Sequence, residues 1–140
     1  MSEPAYPVSP KGRFYDPDST SDERSYSTLM HLSLLAHLFM PYVAIVVPII
    51  MWVVRKEKSP FIDDHGREAV NFQITVVLYT LVLPTIAFIV GAITCGVGLV
   101  LLVPALLGPY ILALVGMIQA AMASNRGEFY RYPMTIRMLH

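Results

Sequence analysis

Two long stretches of this chain carry no formal charge, and they dictate its solvent. Residues 25–54 contain no Lys, Arg, Asp or Glu, and neither do residues 69–125. A charge at the centre of a membrane span costs about 2.5–3.5 kcal/mol, so uncharged apolar runs of this length mark segments solvated by lipid. A span needs about 20 residues. The first stretch holds one, over about 29–54, long enough to be tilted or broken. The second would make a single helix of about 85 Å. No bilayer is that thick, so the chain must reverse. Gly91, Gly96 and Gly98 cluster around Ala92, Ile93, Thr94 and Cys95 and permit a tight turn. This predicts a second span near 68–90 and a third near 99–124.

The expected fold is therefore all-α: an integral membrane bundle of three transmembrane helices. Residues 28–140 form the helical membrane domain, with an interfacial C-terminal tail over 125–140. Residues 1–27 are polar, with four prolines and four acidic residues beyond Met1–Glu3, and read as a disordered tail. The alternative is that Pro41 splits the first span into two helices, giving four shorter elements. The chain is 55% hydrophobic and 14% charged, with a mean hydropathy of +0.56. That is too little charge for the solvated shell of a soluble domain. Ten basic and ten acidic residues cancel, which argues against a nucleic-acid partner. The single Cys95 excludes an intrachain disulfide and a multi-cysteine metal site. Neither a cleavable signal peptide nor a lipidation motif is read at the ends.

With three spans, the first loop and the C-terminus share a side and carry seven of the ten basic residues. The positive-inside rule then places both in the cytoplasm and the N-terminal tail outside, in the cell inner membrane. Pro41, Pro48, Pro84, Pro104 and Pro109 fall within the spans, as hinges or as packing devices. Gly116, Ala120 and Ser124, spaced by four, form a small-residue face for close helix packing, within the chain or against another copy.

The richest polar segment runs over 59–73. Asp63 or Asp64 can cap the second span and suits its positive dipole end. Glu68, Asn71 and Thr75 then share one helix face as it enters the membrane. An unpaired amide there is costly, so the stripe faces protein: either a site for an ion, headgroup or partner, or a dock for the C-terminal tail. The candidate polar network comprises Asp64, His65, Arg67, Glu68, Asn71, Gln73, Glu128 and Arg131. Expected pairings are Glu128 with Arg67, and Arg126 or Arg131 with Glu68. His31 and His37 are six apart and point to different helix faces. With His65 and His140 they permit metal or haem ligation only between helices, and a carbonyl-bonded histidine is the plainer reading. No catalytic signature, metal site or cofactor is expected: phosphate loop, dinucleotide fingerprint, nucleophile elbow and His-Glu-x-x-His are missing from the sequence.

Three segments together carry a family resemblance. They are Pro48 to Lys56 with its Trp52, Ser59-Pro60-Phe61 continuing through His65-Gly66-Arg67-Glu68-Ala69-Val70-Asn71-Phe72-Gln73, and Gly127-Glu128-Phe129-Tyr130-Arg131-Tyr132-Pro133-Met134-Thr135-Ile136-Arg137. They resemble the prokaryotic membrane family of unknown function grouped with the chloroplast inner-envelope import component Tic, a group containing the magnetosome proteins MamF and MmsF. The resemblance covers about 26–139, and the family often has alanine where this chain has Gly66. It implies a helical membrane module without known enzymatic activity. The functional expectation is a non-enzymatic accessory, scaffold or assembly subunit whose partners are membrane lipids and other membrane subunits or itself. A channel or transporter subunit is the alternative, and a cofactor-binding membrane protein a further one.

Overall fold

A computed structural model describes residues 6–38 and 40–139, without the side chains of residues 37, 38 and 41–44. Expectations for the His37 and Pro41 side chains and for His140 lie outside the described residues. Four helices form among the described residues: α1 (Ser21–Ser33), α2 (Pro41–Arg55), α3 (Pro60–Ile93) and α4 (Leu102–Asn125). Short 3-10 segments extend α1 (Leu34–Leu38) and precede α4 (Val97–Leu101). Extended chain forms no strand there, only two isolated bridges.

Each helix start has a local cause. Thr20 caps α1 in a reciprocal capping box with Glu23. Ser59 caps α3, accepting from the Ile62 N–H, and Pro60 occupies the first helical position, where its missing N–H costs nothing. The second expected span, 68–90, thus begins eight residues early. The expected caps do other work: Asp63 accepts from the Trp52 indole and pairs with Arg67, and Asp64 holds Arg131.

The first expected span is not one helix. The helical path breaks before Pro41, where Met40 adopts φ −142° and ψ 81°, outside the helical region that a following proline disfavours. α2 then runs back beside α1. Arg55 reaches Asp22 at 2.7 Å, and the Tyr26 hydroxyl donates to the Met51 carbonyl at 2.7 Å, so the ends pair in antiparallel order. The 29–54 stretch is therefore part of a helical hairpin, with both ends at the same polar pole.

α3 and α4 form the second, longer hairpin. Its turn contains Cys95 at φ 52° and Gly96 at φ 95°, and Gly98 sits where a Cβ would crowd the backbone at Val90 and Gly91. This is the glycine-rich reversal expected from sequence. Both members are long and apolar enough to cross a membrane, and only 17% of the most apolar window of each is buried. A soluble core helix would be mostly buried; these turn Leu81, Phe88, Val103 and Ile111 outward.

The buried core lies at the opposite, polar pole. Met30 and Leu34 of the first hairpin meet Ala69, Phe72 and Val76 of α3, Met117 and Ala120 of α4, and Tyr130 and Tyr132 of the tail. Gly66 lets α3 close on α2, because a Cβ there would overlap the Trp52 side chain. Residues 6–20, part of the stretch expected to be disordered, lie along the C-terminal tail instead. Asp16 donates its N–H to Gly127, and Phe129 donates to Phe14. Mutual backbone bonding supplies the order that composition alone does not.

Candidate functional site

The N-terminal half of α3 gathers the polar side chains, and the tail after α4 folds back over them. Glu68, 3% exposed, accepts from the Tyr132 N–H at 2.8 Å and pairs with Arg137 at 3.3 Å. Asn71 accepts from the Met138 and Leu139 N–H groups and donates to the Leu139 carbonyl at 2.9 Å. Thr75 accepts from the Ile136 N–H while donating to Asn71 one turn back. One helical face thus supplies side-chain partners to backbone that forms neither helix nor sheet. Buried backbone donors must be bonded somewhere, and these side chains do it.

The ion pairs differ from those expected. Arg67 pairs with Asp63, one helical turn away, and not with Glu128. Arg131 forms a two-pronged pair with Asp64 at 2.6 Å, and Arg137 takes Glu68. Glu128 is shared by Arg126 at 2.9 Å and Arg13 at 3.4 Å. Its hydrogen bond from Arg126 is the main influence holding its carboxyl below the usual range. Arg13 belongs to the expected tail, and sequence offered no cue that residues 115 positions apart would meet. Gln73 is buried in the same helix.

Beneath this layer lies a buried aromatic and imidazole chain. The Tyr132 hydroxyl lies 2.9 Å from His31 Nδ1, and His31 Nε2 lies 2.9 Å from His65 Nδ1. Two neutral rings satisfy it when Tyr132 donates to His31 and His31 donates to His65, or with both directions reversed. Burial is the main cause pushing the His31 pKa well down, with His65 adding to it. Ligation between helices was the one arrangement open to these histidines. The structure does bring two together, but each nitrogen at the junction is engaged by the other ring. No group of three or more His, Cys, Asp or Glu suited to a metal occurs among the described residues.

The small-residue face packs inside the chain. Gly116 lies against the Tyr132 ring, which stacks on Phe72 at 3.8 Å, and Ala120 and Ser124 are fully buried at the pole where α1 meets α4. Tyr132 connects the layers: its N–H reads Glu68, its ring fills the Gly116 gap and its hydroxyl ends the histidine chain. Sequence marked Tyr132 only as part of the interfacial tail and of a segment that carries the resemblance.

On the side facing the N-terminal arm, Arg13, Phe14, Asp64, Phe129, Tyr130 and Arg131 line a cup of about 530 Å³. Beside it a smaller apolar hollow of about 130 Å³ lies between α3, α4 and the tail.

Residues 22–139 match the family model described as the magnetosome magnetite crystal formation protein family. No curated protein matches the chain. No solved structure matches it either.

Proposed function

The chain belongs to the magnetosome magnetite crystal formation protein family, and from that premise we propose that it is a non-enzymatic assembly subunit embedded in the magnetosome membrane. The observation that carries this reading is the division of the molecule into two poles. At one, the polar stripe of α3 is spent on the chain's own tail. At the other, α3 and α4 present apolar flanks, suited to lipid and to the helices of neighbours.

In this reading α3 and α4 cross the bilayer, and the α1–α2 hairpin enters from the polar side without crossing. A third span is not needed, because Asp22 and Arg55 lie together at one pole. All ten basic residues then fall on a single side, since the N-terminal arm, the α2–α3 loop and the C-terminal tail meet there. That asymmetry favours a cytoplasmic polar pole, including the N-terminal tail that a three-span count would put outside. Association through the exposed faces of α3 and α4 would join copies of the chain or other subunits. A channel reading is less favoured, because Glu68, Asn71 and Thr75, which would line a wet path, hold the tail.

The test is native mass spectrometry after affinity purification in mild detergent. Defined stoichiometric subunits, the chain's own copies included, are expected. A bare monomer at every detergent-to-protein ratio would remove the assembly role.

A further inference from the structure

The cup beside the N-terminal arm has the features of a ligand site, and its arginines keep free donors after pairing with Asp64 and Glu128 across the tail. Its volume, about 530 Å³, falls in the range of pockets for small organic ligands. Two guanidinium groups, Arg13 and Arg131, line it with one carboxylate, Asp64, while Arg126 and Glu128 pair beside it and Asp16 lies near its Tyr6 wall. Donors remain as well. A guanidinium carries five N–H groups; Arg13 commits one to Glu128, and Arg131 uses its terminal nitrogens on Asp64 and the Tyr130 carbonyl. The walls are aromatic: Tyr6 and Phe129 have ring centroids 4.8 Å apart, and the Arg13 guanidinium lies 5.0 Å over the Tyr130 ring.

Position narrows the ligand. Gln119 of α4 lines the cup, six residues before that helix ends at Asn125. That is about 9 Å of helix below the polar end, at the headgroup layer of a bilayer crossed by α4. The cup also adjoins the apolar hollow of about 130 Å³, because Pro133 lines both. Gln119 in the cup and Leu112 in the hollow are seven apart and so share one face of α4. The path along that face runs from two arginines to Phe72, Tyr79 and Leu112.

We infer that this face holds one anionic phospholipid, its phosphate diester between Arg13 and Arg131 and one acyl chain in the hollow beside Pro133. The inference rests on the membrane reading of α3 and α4. The adjoining apolar hollow is the reason to choose a lipid over a free phosphate, which would need only the cup.

Native mass spectrometry of the detergent-solubilised chain, titrated with phosphatidylglycerol or phosphatidylcholine, tests it. One phosphatidylglycerol should stay bound at collision energies that strip phosphatidylcholine. Arg13→Gln and Arg131→Gln should each weaken its retention by about tenfold, the size of one lost charge-assisted hydrogen bond. Arg13 lies in the N-terminal arm outside the core, so its variant keeps the test alive if Arg131→Gln fails to fold. Arg55→Gln, which removes the distant pair with Asp22 and the contact over the Tyr26 ring, should bind as the parent does. Equal retention of both lipids, or an unchanged Arg13→Gln, overturns the proposal. Displacement of phosphatidylglycerol by millimolar inorganic phosphate assigns the cup to a free anion and also overturns it. A chain that stays monodisperse without detergent would defeat the membrane reading itself, a result separable from the lipid comparison.

Discussion

Asp64 and Arg131 lie 67 positions apart in sequence and meet as a bidentate pair. Arg131 is half exposed, so water screens part of the attraction. Reversing either charge should cost roughly 1 kcal/mol of stability in detergent, and the double reversal should recover most of it. The same exchange between Glu68 and Arg131 should show no recovery, because Glu68 serves the Tyr132 N–H and Arg137. Thermal unfolding of the four combinations separates the two assignments, and rescue through Glu68 would refute the geometry. That Glu68 and Asn71 need partners was legible in sequence, from polar groups at i and i+3 on one helix face where the uncharged stretch begins. Which arginine answers which carboxylate was not. Arg126, Arg131 and Arg137 lie within twelve residues of each other, and only the path of the tail along α3 selects among them.

At the scale of elements, the two hairpins follow from different breakers. Glycines at 91, 96 and 98 made the α3–α4 reversal readable, since an uncharged run of 57 residues must turn somewhere and glycine is the residue that permits it. The break before Pro41 was harder, because a membrane helix tolerates proline as a kink as well as a stop. What decides is tertiary: Tyr26 to Met51 and Asp22 to Arg55 reward the return of α2. The prediction concerns Cys95, the lone thiol, exposed at the tip of the longer hairpin. A membrane-impermeant maleimide applied to sealed vesicles should label Cys95 from one side only. Tags at the N- and C-termini should be reached only from the other. Termini on opposite sides would restore an odd number of crossings.

At the scale of the molecule, the polar pole carries groups that acid should loosen. The buried His31 ring is held neutral, whereas an unfolded histidine titrates near pH 6.5. The unfolded chain therefore binds more protons as pH falls, and stability is lost below that point, up to about 1.4 kcal/mol per pH unit for each such ring. Glu128, with its carboxyl held low by Arg126, adds a further loss below about pH 4.5 as protonation removes its pairs. The melting midpoint in detergent should thus fall from pH 7 to pH 5, and His31→Gln should flatten that slope. A midpoint unchanged over the same interval would mean that His31 is not held neutral by burial.

Charge placement along the chain was enough to indicate helices, two of them long and apolar enough to cross a membrane, and one reversal, because the cost of burying charge in hydrocarbon acts on every residue independently of its neighbours. Motif similarity over the middle and end of the chain was enough to point to the family. The return of α2 beside α1, the docking of the N-terminal arm on the C-terminal tail, the ion-pair partners and the joining of His31, His65 and Tyr132 depended on contacts between distant segments. Those contacts are short-ranged and conditional on one another: Tyr132 can close the histidine chain only after Gly116 has made room for its ring and Glu68 has fixed its backbone. A linear pattern records the need for such partners, and the packed structure alone selects them.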